Sequence, residues 1–108
     1  MPTVSPPRLE GNLSVDRNAE RVLVAISGYF GFGLHRKFRD AWLGSPRGKK
    51  FVIDMSAVEQ IDSAALGMLL VLREQAGGDE AKIDIVGCPP MILKLLQVAD
   101  FQSLFNFH

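Results

Sequence analysis

Cysteine and histidine are scarce in this chain, and neither sign of charge is in excess. Cys88 is the lone cysteine in 108 residues, so an internal disulfide is excluded and a reducing compartment, the cytoplasm, is the expected setting. The only imidazoles are His35 and His108, and Cys88 stands by itself before Pro89-Pro90. Residues so scattered supply neither a metal site nor a nucleophile with its base, so no enzyme activity and no cofactor are expected. Lys plus Arg and Asp plus Glu each number 12, giving a formal net charge of zero and no global field to draw the chain onto nucleic acid. The local basic groups Arg36-Lys37-Arg39 and Arg47-Lys49-Lys50 are read as solvated charge around a helix and its exit loop. The longest near-continuous apolar run, Ala64 to Leu72, is far short of the roughly 20 residues that span a bilayer. The opening residues also lack the basic-then-apolar order of a signal peptide, so neither membrane insertion nor secretion is expected.

What is present fits one folded unit. An apolar fraction of 47% in 108 residues suits a single core. Residues 1–8, with three prolines, are expected to form a loose arm, and residues 9–108 a single domain. Leu13 and Val15 alternate with polar neighbours, Arg17 to Glu20 offers a turn, and Arg21 to Ile26 is β-branched and apolar, which predicts a hairpin. Leu34, Phe38, Ala41 and Trp42 fall on one side of a helix over 34–43. Gly44-Ser45-Pro46-Arg47-Gly48 ends it. This stretch has the flavour of a phosphate loop, but it leads into a strand, where no helix amides would face an anion.

Lys50 to Met55 is a compact apolar run, expected as a central strand covered on both faces, followed by a polar turn. A helix from Ser63 to about Ala76 is apolar almost all round in its first half, which predicts burial there, and Gly77-Gly78 stops it. Lys82 to Val86 alternates as a strand. Pro89-Pro90 opens a helix to about Ala99 with Ile92, Leu95 and Leu96 facing inward, and Leu104 to Phe107 offers a last edge strand. The order gives an α/β architecture: a mixed-direction sheet of four to five strands with helices packed against it.

The junction Asp62-Ser63 is where chemistry concentrates. Asp and Ser are favoured N-cap residues, typically worth about 1 kcal/mol, so a capping role accounts for them at the simplest level. A hydroxyl at a helix start is also where a phosphate can be held by free amides and the positive end of the helix dipole. Phosphorylation there adds about 1.5 to 2 negative charges beside Asp62, in a neighbourhood with Asp54 and Glu59.

The run Phe51 to Leu70 resembles the signature of the STAS domains, and within them the bacterial anti-sigma factor antagonists. The resemblance rests on Asp54, Ser56, Val58, Ile61, Asp62, Ser63, Leu66, Gly67 and Leu69, and the order of elements agrees over nearly the whole chain. It implies a STAS fold with Ser63 as the residue phosphorylated by an anti-sigma factor that is also a serine kinase. Unphosphorylated chain would bind that anti-sigma factor, phosphorylation would release it, and a PP2C-type phosphatase would reset the switch. The implied partner surface comprises Asp54, Ser56, Asp62, Ser63, Ala64, Ala65 and Leu66, with Phe30 and Gly31 from the loop at 30–33, on a chain favoured as a monomer. Ala64-Ala65 replaces the Ser/Thr-Gly common in the family, which leaves Ser63 as the one candidate acceptor there. Gly28-Tyr29-Phe30-Gly31 lacks the Asp that many members carry at its fourth position. Two other functions fit the same resemblance: a constitutive STAS subunit of a larger complex, for example in lipid transport, with Ser63 only a cap, and a small-ligand sensor near Gly31 and Gly33.

Overall fold

The computed structural model describes residues 10–108, so the arm expected at 1–8 lies outside the described residues. Strand β1 (Asn12–Arg17) turns through Asn18, whose side-chain oxygen accepts from the amides of Glu20 and Arg21, both at 2.8 Å, and enters β2 (Arg21–Phe30) as its antiparallel neighbour. A single 3-10 turn at Phe32–Leu34 leads into α1 (His35–Trp42). Then follow β3 (Lys50–Ile61), α2 (Ser63–Ala76), β4 (Lys82–Val86), α3 (Pro90–Val98) and the two-residue β5 (Asn106–Phe107).

The sheet runs in chain order, β1 to β5, with β2, β3, β4 and β5 mutually parallel. Right-handed crossovers that always step in the same direction place every helix on the same face. That face is the core. Val22, Val24 and Ile26 of β2 and Phe51, Ile53 and Met55 of β3 alternate onto it, together with Ile83 and Ile85 of β4. Phe38, Leu69, Leu72, Ile92 and Leu96 close it from the helices.

Two expectations about β3 are corrected here. No described helix covers the opposite face of the sheet, and Leu23, Ala25, Val52 and Asp54 are only half-buried on it. The residues at 56–60 are strand rather than turn. Between Ala25/Asp54 and Ser27/Ala57, and again between Gly28/Val58 and Tyr29/Gln60, β3 carries one residue more than β2. These bulges break the in-out alternation, leaving Ser56 and Ala57 both exposed, which is what gave the segment the look of a turn. Helix α2 is also less buried at its front than its composition implied. Ala65, Met68 and Leu69 enter the core, while Gly67 and Leu70 face outward. On α3, Ile92 and Leu96 point inward as expected, but Leu95 is 50% exposed and shares an outer stripe with Met91 and Val98.

The second basic group is structural rather than merely solvated. Lys49 Nζ donates to the carbonyls of Asn18 and Ala19 at 2.8 Å, Arg47 reaches the Glu74 carbonyl, and Lys50 pairs with Asp84 at 3.3 Å. Partial burial pushes the Asp84 carboxyl up. Hydrogen bonds with Lys50 and Asn106 and the charges of Lys50 and His108 outweigh it, so the pKa lies below the ordinary value. A carboxylate depressed in the folded state stabilises the fold above its unfolded pKa, and that contribution is lost as pH falls through the folded one. Thermal stability should therefore drop as pH falls below 3.8, the ordinary value for this group, and Asp84→Asn should make that acid-side decline shallower in a Tm-against-pH series.

Candidate functional site

Helix α2 starts one residue after the long β3 ends, and the residue between them is Asp62. Its backbone is extended, with φ −119° and ψ 178°, as an N-cap requires. Oδ1 accepts from the Ala65 amide at 3.0 Å, the cap bond proper. Oδ2 accepts from the Tyr29 hydroxyl at 3.3 Å and from the Phe32 amide at 3.4 Å. The Asp62 amide donates to the Phe30 carbonyl at 3.3 Å. One residue thus joins the end of β2, the turn before α1 and the first turn of α2. Partial burial, then the charge and hydrogen bond of Asp62, push the Tyr29 phenol above its ordinary value, so it stays a donor to the carboxylate.

Ser63 is therefore the first helical residue and not the cap. It is exposed. The capping account of Ser63 gives way to Asp62, which performs that role with its own side chain.

Gly31 explains the missing acidic residue. A Cβ built on it would lie 2.4 Å from Asp62 Oδ2 and 2.3 Å from the Tyr29 ring, so the space is already filled by the clamp. An Asp here would also set two carboxylates side by side. Gly31 is buried in this way and leaves no room for a small ligand against it, whereas Gly33 is exposed with open space around it.

The expected partner surface divides. Ser63 is exposed, and Asp62, Ala64 and Leu66 are half-buried around it. Phe30 and Ala65 are both 0% exposed. Phe30 ends an inward-pointing position of β2 and Ala65 sits on the core side of α2, so neither side chain can touch a partner directly. Asp54 and Ser56 are hydrogen-bonded to each other, Ser56 N–H to Asp54 Oδ1 at 2.9 Å, beside the Gly87 loop. At the rise of an extended strand Asp54 lies roughly 20 Å and Ser56 roughly 16 Å before the end of β3, so the pair forms a second patch on the strand that leads to Ser63. Within the expected loop at 30–33 the exposed aromatic is Phe32 and not Phe30: it is 71% exposed and stacked on His35 with ring centroids 5.7 Å apart. A phenylalanine between Gly31 and Gly33, with no periodic reason to face inward, was its signal.

A family model described as "Mlab, STAS domain" matches residues 13–106. A STAS-domain containing protein of Pseudomonas aeruginosa (strain UCBPP-PA14) is 40% identical over 92 residues, which is 82% of this chain and 89% of that one. The chain belongs to the STAS-domain family. Among solved structures, this STAS domain superposes on an anti-sigma factor antagonist from Mycobacterium paratuberculosis with a TM-score of 0.78 at 23% identity, covering 97% of this chain and 90% of the other. It matches the unphosphorylated form of the anti-sigma factor antagonist SpoIIAA with a TM-score of 0.69 at 13% identity, covering 90% and 87%. At such identities these likenesses establish a shared fold: a mixed sheet of five strands with three helices packed on it.

No group of three or more His, Cys, Asp or Glu is arranged to hold a metal among the described residues. Burial pushes the Cys88 thiol up to about 11, against an ordinary 9.0. Alkylation of Cys88 by iodoacetamide near neutral pH should therefore run about 100-fold slower than that of an unperturbed thiol, because the thiolate is the reacting form. The clamp makes a sharper expectation. Asp62→Ala should destabilise the domain by about 1–2 kcal/mol in urea denaturation, and Gly31→Ala by about 1–3 kcal/mol through displacement of the carboxylate and Tyr29. Ser63→Ala should change it by less than about 0.5 kcal/mol, because Ser63 makes no cap.

Proposed function

We propose that this STAS domain is an anti-sigma factor antagonist that works by partner switching in the cytoplasm. The observation that carries the reading is that Asp62 has taken over the capping of α2, leaving the Ser63 hydroxyl exposed at the first helical position with no structural duty. The first-turn amides next to it precede the first i−4 bond of the helix, so a phosphate on Ser63 can be held by them and by the positive end of the dipole. The fold survives the modification while its surface gains about 1.5 to 2 negative charges.

In this reading the unphosphorylated chain docks an anti-sigma factor with serine-kinase activity through Ser63, Ala64, Leu66 and the exposed Phe32. Phosphorylation of Ser63 places charge in the centre of that apolar contact and breaks it. A PP2C-type phosphatase restores the binding form. The chain is then a substrate and binder rather than an enzyme. Asp54 and Ser56 belong to a separate patch whose part in recognition is secondary.

A second reading has its own support. Leu70, Val71, Met91, Leu95 and Val98 are all at least 42% exposed on the outer side of α2 and α3, an apolar surface of the kind that permanent interfaces cover. It favours a constitutive STAS subunit of a larger complex.

Incubation with ATP and the anti-sigma-type kinases encoded in its genome, followed by mass spectrometry, should place phosphate on Ser63 alone. Ser63→Asp should weaken binding of the cognate kinase at least 100-fold, while Ser63→Ala should bind it and fail to be released by ATP. Phosphate at another residue, or undiminished binding by Ser63→Asp, rejects partner switching. If Leu95→Arg instead disrupts a stable complex that Ser63→Asp leaves whole, the subunit reading stands.

A further inference from the structure

A cleft of about 310 Å³ opens between α1 and α2, behind the Ser63 helix start. Phe38 and Met68, both buried, lie at its base, Trp42 forms one wall, and Phe32 and Val71 stand largely exposed at its mouth. Its polar lining is of one kind: Arg39 and His35 contribute, and no acidic residue does. Trp42, which also borders a neighbouring pocket, carries a buried indole nitrogen without a partner among the described residues. A shielded N–H left unpaired costs about 1–3 kcal/mol.

Gly67 adds an independent observation. It sits inside α2, where a glycine destabilises a helix by about 1 kcal/mol relative to alanine. No close approach accounts for it, since a Cβ there would meet nothing within 4 Å. Its effect is to leave the α2 side of the cleft open, because any longer side chain at 67 would occupy the space.

We propose that the α1–α2 cleft binds a small amphipathic carboxylate, its apolar body against Phe38, Met68 and Val71 and its anionic head at Arg39 beside His35. Small-molecule sites commonly have volumes of roughly 300–1,000 Å³, so this one is at the lower end and suits one short chain or one ring. A single permanent cation with no carboxylate in the lining matches a single anionic head, and Arg supports the paired hydrogen bonds that a carboxylate accepts. The site does not depend on Ser63 being phosphorylated, although Phe32 and Ala64 border both surfaces.

Trp42 is the only tryptophan, so its fluorescence reports the cleft directly. Octanoate added to the full chain should give a saturable response with a Kd of about 1 mM or tighter and one site per chain by calorimetry. The neutral 1-octanol should bind about tenfold more weakly than octanoate. Arg39→Gln should weaken octanoate about tenfold and leave 1-octanol unchanged. Gly67→Leu should abolish binding of both while keeping or raising Tm, which separates a filled cleft from a failed fold. Several outcomes overturn the proposal: no Trp42 response up to about 10 mM octanoate, which assigns the cleft to a protein side chain instead; non-saturating uptake; equal affinity for alcohol and acid; or normal octanoate binding by Gly67→Leu.

Discussion

The carboxylate of Asp62 is the tie on which the working end of this domain depends. Its two oxygens and its amide join three chain segments that are distant in sequence: the end of β2, the turn at Phe32 and the start of α2. Each bond is of modest net strength, about 1 kcal/mol in the usual case, with bonds to a charged group stronger. Their convergence is what gives the site its shape. Because Asp62 caps the helix, the Ser63 hydroxyl is left exposed and outside the cap. Because Oδ2 is engaged by Tyr29 and Phe32, the Gly31 position has to be without a side chain. The departure from the usual acidic residue and the freedom of Ser63 are thus two consequences of one arrangement.

The sheet supplies the platform for that tie. All three helices pack on one face because each parallel crossover steps the same way along the sheet. Parallel sheets are ordinarily covered on both faces, so the half-buried stripe of Leu23, Ala25, Val52 and Val86 is an unusual feature of this fold. Polar groups temper it, among them Asp54, Ser56 and the Lys50–Asp84 pair. The bulges of β3 absorb its two extra residues, so that Ile61 stays paired with Phe30 and α2 starts at the same end of the sheet as the close of β2. Without those extra residues the Asp62 amide would not meet the Phe30 carbonyl.

The outer side of the helix layer mixes charged residues with exposed apolar ones. The inner side makes the core, and the outer side shows Phe32, Leu70, Val71, Leu95 and Val98. The sequence of α2 could not distinguish these sides, because Ala64 to Leu72 is apolar in nearly every position and a period of 3.6 cannot be read from an unbroken run. Only packing against β3 and α1 chose Ala65, Met68, Leu69 and Leu72 for the core and left Gly67, Leu70 and Val71 outside. The inward assignment of Leu95 failed for the same reason, since Leu95 and Leu96 are adjacent and the helix can bury only one of them deeply.

Local patterns by themselves determined the α/β class, the hairpin, α2 over Ser63–Ala76, β4 over Lys82–Val86 and the Asp62-Ser63 helix start, because alternation, caps and helix stops are written in neighbouring residues. Only the tertiary structure decided which of the two, Asp62 or Ser63, is the cap, that Phe32 and not Phe30 is exposed, and that Asp54 and Ser56 lie apart from Ser63. Those outcomes depend on contacts between residues some thirty positions apart, such as Tyr29 with Asp62, and on strand bulges that shift which side chains face out. Such long-range geometry has no signature in any local window of the chain.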